Sequence, residues 1–156
     1  MSRIQTRENV FKLIYERVIR DEKNPHSFEV VFNAISGNDK EYFIAAYNGI
    51  DETYEFLKKV IERFSIDFKI SRLNKVDLSI LLVAAYEILF MDEIGVSISA
   101  NEAVELAKKF SNEDSSKFIN GVLASVIENK ELLIVEFNTK EEIKEEENEE
   151  DECENN

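Results

Sequence analysis

Residues 74–91 read N-K-V-D-L-S-I-L-L-V-A-A-Y-E-I-L-F-M, and this stretch decides the fold. On a helix of about 3.6 residues per turn, its apolar side chains fall on every side rather than along one stripe. A helix of this kind is stable only when other helices surround it. The longest apolar run within it, residues 80–86, is far shorter than the roughly 20 residues that cross a bilayer. The stretch therefore predicts the central helix of a bundle and no membrane span.

Amphipathic patterns lie on both sides of this central stretch. Apolar residues recur at spacings of three and four over residues 3–22, 38–64, 99–110 and 115–127, which predicts helices there. A shorter helix is expected over residues 27–37, and the 38–64 stretch is long enough to contain a break. The chain has only four Gly and one Pro, which favours helices over hairpins and predicts an all-α fold. The predicted N-caps are Ser27, Asn38, Ser99 and either Asp114 or Ser115.

The negative charge of the chain is concentrated at its C-terminal end. Of the net charge of −14, residues 134–156 carry −9, from eleven Asp and Glu against two Lys, which leaves −5 for residues 1–133. This segment is poor in apolar residues, so burial cannot offset the entropy lost on ordering it. We therefore predict one helical domain over residues 1–133 and a disordered acidic tail over residues 134–156.

Few residues could support catalysis or hold a metal. The single histidine, His26, follows a proline in a predicted loop, and the single cysteine, Cys153, lies in the acidic segment. This composition argues against Cys–His catalysis and Cys/His zinc sites, and four scattered glycines form no phosphate-binding loop. We therefore predict a protein that is not an enzyme and needs no metal or cofactor. A lone thiol and the absence of a signal-peptide pattern predict a cytoplasmic protein.

The first twenty-three residues are the basic end of the chain, with six Lys or Arg against four Asp or Glu. On a helix, Arg3 and Arg7 lie one turn apart on the same side. Two such guanidinium groups can bind neighbouring phosphates of a nucleic acid. Two arginines on a solvated helix face are also common in proteins of other function. The pair is a candidate phosphate contact that the sequence alone does not settle.

Residues 99–123 read S-A-N-E-A-V-E-L-A-K-K-F-S-N-E-D-S-S-K-F-I-N-G-V-L and contain Asn120-Gly121 inside a helical pattern. Glycine within a helix costs about 1 kcal/mol relative to alanine, and the close approach of a backbone or a nucleotide at Gly121 would explain it. Asn120 can donate to and accept from a base edge. Phe118 can stack on an unpaired base, although its helical spacing fits a core residue equally well.

Four motifs carry a resemblance to a known family. They are T-R-E-N-V-F-K-L-I-Y (6–15), A-A-Y-E (84–87), N-E-A-V-E-L-A-K-K-F (101–110) and E-D-S-S-K-F-I-N-G-V-L (113–123). With them, the chain resembles the NusB family of transcription antitermination factors over residues 3–128, most strongly from residue 76 onward. Two adjoining motifs of ten and eleven residues in this order are highly specific.

The resemblance implies a NusB-like, all-α bundle of about seven helices in two small subdomains. It also implies a factor that binds boxA-type single-stranded RNA of nascent ribosomal transcripts together with ribosomal protein NusE. Such a factor acts within an RNA polymerase antitermination complex that contains other Nus factors. Residue by residue, the resemblance implies RNA contacts at Arg3, Arg7, Lys117, Phe118 and Asn120, and positions facing NusE at Asp77 and Asp114.

A departure from the family pattern leaves other functions open. Where relatives read D-R-A-I-L-R, residues 77–82 read D-L-S-I-L-L, so Leu78 and Leu82 replace two cations that would attract phosphate. One alternative is therefore a protein-interaction module with the same fold and no RNA binding. Another is the RNA-recognition domain of a ribosomal RNA methyltransferase, which needs a Rossmann-like extension with a Gly-rich loop that these residues lack. The sequence does not decide between a monomer and a homodimer.

Overall fold

The computed structural model describes residues 1–66 and 69–155, and the architecture over these residues is all-helical. This confirms the fold class that the sequence predicts. Within these residues, eight α-helices and one short 3-10 helix follow one another through brief loops. In chain order they are α1 (Arg3–Arg20), α2 (Pro25–Ala34), α3 (Asp39–Glu52), α4 (Tyr54–Phe64), the 3-10 helix (Ile70–Arg72), α5 (Lys75–Phe90), α6 (Val96–Phe110), α7 (Glu113–Glu128) and α8 (Lys130–Glu154).

Helix α5 is the centre of the bundle, as its sequence predicts. Helices α1, α3, α4, α6 and α7 all pack against it, and its side chains at Ile80, Leu81 and Leu82 are fully buried. The surrounding helices form two groups, because α1 contacts α2 and α3 whereas α7 contacts α4 and α6. Both groups share α5 as their common core element. No helix in the described part of the chain is long and apolar enough to cross a bilayer.

The predicted N-caps of α6 and α7 are wrong. Ser99 lies inside α6, which begins three residues earlier, and its hydroxyl donates to Glu87 instead of capping the helix. Asp114 and Ser115 lie inside α7, whose cap is Asn112; the Asn112 side chain accepts a hydrogen bond from the Ser115 amide at 2.8 Å. Asn, Asp and Ser cap helices about equally well, so residue type alone could not choose between neighbouring candidates.

Two further boundaries follow from local chemistry. Asn24, rather than Ser27, caps α2, because its side chain accepts hydrogen bonds from the amides of His26 and Ser27 at 3.1 and 3.3 Å. Pro25 then occupies the first helical position, where its missing N–H costs nothing. The long apolar pattern over residues 38–64 is broken at Thr53, between α3 and α4. The break that the sequence allowed is therefore present.

Residues 130–154 form helix α8, which corrects the prediction of a tail without regular structure from residue 134. Glu and Lys are good helix formers, and two ion pairs within α8 join side chains about one turn apart. The beginning of the helix is also anchored, since Leu133 is buried and the Phe137 ring lies 5.0 Å from the rings of Phe56 and Phe90. The division of the chain at residues 133 and 134 stays a prediction.

We expect two truncations of α8 to differ in stability. Ending the chain after Lys144 removes only exposed residues among those described and should leave the free energy of unfolding nearly unchanged. Ending it after Leu133 also removes Phe137 and uncovers Phe56 and Phe90, which should cost about 1–2 kcal/mol. Urea denaturation followed by circular dichroism measures both values. Equal stability of the two shortened proteins would show that α8 beyond Leu133 does not stabilise the domain.

Candidate nucleic-acid interface

A cleft of about 350 Å³ lies between the N-terminal ends of α5 and α7. The 3-10 helix and the start of α5 form one wall, and the first turns of α7 form the other. The cleft brings together Phe118, which the family resemblance assigns to RNA, and Asp77 and Asp114, which it assigns to a protein partner. The lining residues are Arg72, Leu73, Asn74, Asp77, Asn112, Asp114, Ser115 and Phe118.

Asp77 is the buried acid of this cleft, with 6% of its surface exposed. Its Oδ2 atom accepts a hydrogen bond from the Ser115 hydroxyl at 2.7 Å, and the Ser111 hydroxyl donates to Ser115 Oγ at 2.8 Å. Its Oδ1 atom is buried as well but accepts no hydrogen bond from the described residues. A buried carboxylate oxygen without a donor is costly, so this atom has unused capacity for a donor.

Helix α7 presents the other sequence-predicted RNA contacts. Phe118 is half-buried, packs against the core and also lines the cleft. Lys117 and Asn120 are exposed. Gly121 is exposed too, and a Cβ atom added there would meet no atom within 4 Å. The packing within the chain therefore does not require glycine at this position, and the helix surface beside Asn120 is open.

Arg7 is not a surface residue, which corrects the expectation that it points outward beside Arg3. It is only 4% exposed, and its Nε and Nη2 atoms donate to the two carboxylate oxygens of Glu87 at 2.8 and 3.0 Å. The hydroxyls of Tyr42 and Ser99 donate to the same carboxylate at 2.9 and 3.0 Å. This network joins α1, α3, α5 and α6. Arg7 thus joins four helices through Glu87, and two of its donors are occupied by that carboxylate.

Tyr42 completes the buried network as a hydrogen-bond donor. Burial, followed by the negative charge of Glu87, raises the pKa of the Tyr42 phenol well above its ordinary value. The phenol therefore stays protonated and donates a hydrogen bond to Glu87. With donors from Arg7, Tyr42 and Ser99, both oxygens of the Glu87 carboxylate are satisfied, as a buried charge requires.

Arg3 lies nearer to the surface than Arg7. Its Nε atom donates to Asp39 at 2.9 Å, and its guanidinium carbon lies 4.3 Å from the centre of the Tyr42 ring. Its side chain is 41% exposed. Surface ion pairs of this kind contribute about 0–1 kcal/mol, so a phosphate could compete with Asp39 for Arg3 at little cost. Arg3 is therefore the accessible member of the predicted arginine pair.

Some residues of these surfaces were missed by sequence reasoning. Arg72 is exposed and lines the cleft, but it lies in a short 3-10 helix outside any periodic pattern, so nothing in the sequence marked it. Lys108 and Lys109 line a second groove of about 350 Å³ between α1 and α6, together with Arg7. Glu87 carried a usable signal, because an acid within an apolar helix needs a buried partner.

Leu78 and Leu82 do not belong to either surface. They are 4% and 0% exposed, and both side chains are part of the core around α5. Both positions of this chain therefore contribute to the core and not to an exposed surface.

Comparison with known proteins now identifies the family. The model of the NusB family matches residues 4–128 of the chain. The chain belongs to the NusB family. Transcription antitermination protein NusB of Ruminiclostridium cellulolyticum is 41% identical over 128 residues, which are 81% of this chain and 88% of that protein. The protein of the same name from Clostridium acetobutylicum is 41% identical over 133 residues, which are 84% of this chain and 98% of that protein.

Solved structures of NusB proteins share the fold. NusB of T. maritima matches with a TM-score of 0.73 at 27% sequence identity, covering 82% of this chain and 92% of that one. A second structure contains the antitermination factors NusB and NusE in complex with double-stranded RNA. It matches with a TM-score of 0.71 at 26% identity and covers 82% of this chain and 98% of the matched chain. The confirmed resemblance thus extends to the three-dimensional arrangement of the helices.

Proposed function

We propose that this protein is a transcription antitermination factor that binds boxA-type single-stranded RNA of nascent ribosomal transcripts together with ribosomal protein NusE. The observation that carries the proposal is the cleft between α5 and α7, which is lined by Phe118, Asp77 and Asp114. The names of its relatives support the antitermination function, and the relative that was solved with NusE and double-stranded RNA supports a partnership with NusE and RNA. The proposal includes assembly in the cytoplasm with RNA polymerase and other Nus factors, and no catalytic step.

In this proposal each RNA contact has its own task. An unpaired base stacks on Phe118, Asn120 reads the edge of a base, and Lys117 and Arg3 bind phosphates. Unpaired bases expose both their faces and their edges, whereas a duplex hides them, so this chemistry suits single-stranded RNA. Arg7 contributes indirectly, because its bond to Glu87 fixes α1 and therefore the position of Arg3.

The partner surface is proposed to lie at the start of α7. Asp114 is exposed in the first turn and can meet a cation of NusE. The alternative function, a protein-interaction module without RNA binding, was motivated in part by Leu78 and Leu82 as lost cations. Both side chains are buried in this chain, and the relative solved with NusE and RNA favours the RNA-binding proposal, which we retain.

Titration of boxA-type RNA into the protein tests the proposal. We expect binding that is tighter with NusE present than without it, and tighter for boxA-type RNA than for a scrambled sequence of equal length. Affinity should fall between about 50 and 300 mM salt because phosphate contacts release counterions. Equal affinity for boxA-type and scrambled RNA, with and without NusE, would contradict the proposal.

Asp114→Lys is expected to weaken NusE binding by about one order of magnitude or more, because a like charge would then face the basic partner. RNA binding by the protein alone should change less. Asp151→Lys, which makes the same change of charge at an exposed position of α8, is the matched control. Calorimetry measures both affinities. If the two variants bind NusE equally well, Asp114 lies outside the interface.

A further inference from the structure

Helix α8 carries apolar side chains that the described part of the chain leaves exposed. Leu132, Val135 and Ile143 are 72%, 62% and 49% exposed. At about 100° per residue they fall, together with Thr139, within an arc of about 80° on one side of the helix. We call these four residues the α8 stripe. The model of the NusB family ends at residue 128, so the α8 stripe lies outside the part of the chain that it matches.

Contacts with the bundle fix the orientation of α8 and so keep the α8 stripe facing outward. Leu133 is buried, and the Phe137 ring packs against Phe56 of α4. Arg63, also on α4, donates two hydrogen bonds to the Glu136 carboxylate at 3.0 and 2.7 Å. These contacts use other sides of α8 and leave the α8 stripe free. A partner could therefore bind the stripe without unfolding or rotating the helix.

The free charges beside the α8 stripe are negative. Glu131, Glu142 and Glu146 lie beside or just beyond it, are exposed and form no ion pair with any described residue. Lys140 and Lys144 lie away from this edge and pair with acids of α8 itself. Glu142 and Glu146 are one turn apart, where like charges destabilise a helix. A cation bound between them would relieve that repulsion.

These charges decide which class of partner fits the α8 stripe. The net charge of −9 over residues 134–156 repels the phosphates of nucleic acids and the headgroups of anionic membranes. A second copy of the chain that paired through α8 would bring two such segments together. A helix with an apolar face flanked by Lys or Arg instead matches both the apolar side chains and the acids.

We propose that the α8 stripe is a docking site for a basic amphipathic helix of another protein. Apolar side chains of that helix pack on Leu132, Val135 and Ile143, and its cations pair with Glu142 and Glu146. Contiguous apolar side chains on an exposed surface commonly mark such interaction sites. The proposal goes beyond antitermination, because it concerns a surface that includes no proposed contact with RNA or NusE.

Binding of synthetic peptides to the full chain tests the proposal. The probe is an amphipathic peptide of leucine and lysine, about 18 residues long, which is sufficient to form a helix on binding. One control peptide has glutamate in place of lysine, and another has serine in place of leucine. Calorimetry should show binding of the leucine–lysine peptide that weakens between about 50 and 300 mM salt. Both control peptides should bind more weakly by about tenfold or more.

Alanine variants show whether the peptide lies on the α8 stripe. Val135→Ala combined with Ile143→Ala removes apolar contacts and keeps a good helix former at both positions. This variant should bind the leucine–lysine peptide about tenfold more weakly. Val30→Ala, at a 57% exposed position of α2, is the matched control and should bind it as tightly as the parent.

Charge reversal tests the acidic edge separately. Glu142→Lys combined with Glu146→Lys should weaken binding of the leucine–lysine peptide by about tenfold and strengthen binding of the leucine–glutamate peptide. Glu29→Lys combined with Glu41→Lys makes the same change of net charge at exposed positions of α2 and α3. This control should change both affinities much less. Circular dichroism of every variant reports on folding.

Three outcomes would overturn the docking site. In the first, the parent protein does not bind the leucine–lysine peptide. In the second, the alanine and charge-reversal variants of α8 bind it as tightly as the parent. In the third, the parent sediments as a dimer that the alanine variant of α8 does not form, so that a second copy covers the stripe. No RNA and no NusE enters these measurements, so none of their outcomes bears on the proposed function.

Discussion

Replacing Glu87 by alanine is expected to lower the free energy of unfolding by about 3–5 kcal/mol, because one partner of a buried ion pair is removed. The change leaves the Arg7 guanidinium group buried without the carboxylate that accepts two of its hydrogen bonds. It also leaves the Tyr42 and Ser99 hydroxyls without the carboxylate to which they donate. Urea denaturation followed by circular dichroism measures the loss.

Asp39→Ala is the matched control for this prediction. It removes the acid paired with Arg3, whose side chain is 41% exposed, and should cost about 0–1 kcal/mol. A comparable loss in both variants would show that the Arg7–Glu87 pair is solvated rather than buried.

The salt dependence of RNA binding distinguishes the roles of Arg3 and Arg7. Arg3→Ala should lower the slope of log affinity against log salt by about 0.7. An Arg7→Ala protein that still folds should lose less of the slope than Arg3→Ala, because Arg7 acts only through the position of Arg3.

Replacing Phe118 by alanine is expected to weaken the binding of boxA-type RNA by about 1–3 kcal/mol, the cost of losing one aromatic stacking contact. Some stability should be lost as well, because Phe118 packs partly against the core. Fluorescence anisotropy measures RNA affinity, and thermal melting of the same samples measures stability. Affinity is compared at a temperature where both proteins are fully folded.

Two conservative variants separate stacking from packing at this position. Phe118→Tyr keeps an aromatic ring and should bind RNA almost as tightly as the parent. Phe118→Leu keeps apolar volume for the core but offers no ring, so it should be nearly as stable as the parent while binding RNA more weakly. If Phe118→Leu binds RNA as tightly as the parent, the side chain serves the core alone.

The sequence by itself determined most of the helices and which of them lies at the centre of the bundle. The apolar residues on all sides of residues 74–91 required a central helix, and α5 is that helix. The motifs over residues 101–110 and 113–123 indicated the family. These properties are local in the chain, because a periodic pattern or a motif is complete within a short stretch. Helix starts were less certain, since several good capping residues stood side by side.

Only the tertiary structure decided which charged side chains are buried and which are exposed to solvent. Arg3 and Arg7 look equivalent on a helix, yet Arg7 is buried because Glu87, 80 residues away in the chain, lies opposite it. Phe118, Asp77 and Asp114 were assigned to two ligands, and packing of α7 beside α5 placed them around one cleft. Helix α8 forms where the composition predicted disorder, and Phe137 anchors it on Phe56 and Phe90. In each case the deciding partner is distant in sequence, and whether a charge is buried or solvated depends on that partner rather than on its neighbours along the chain.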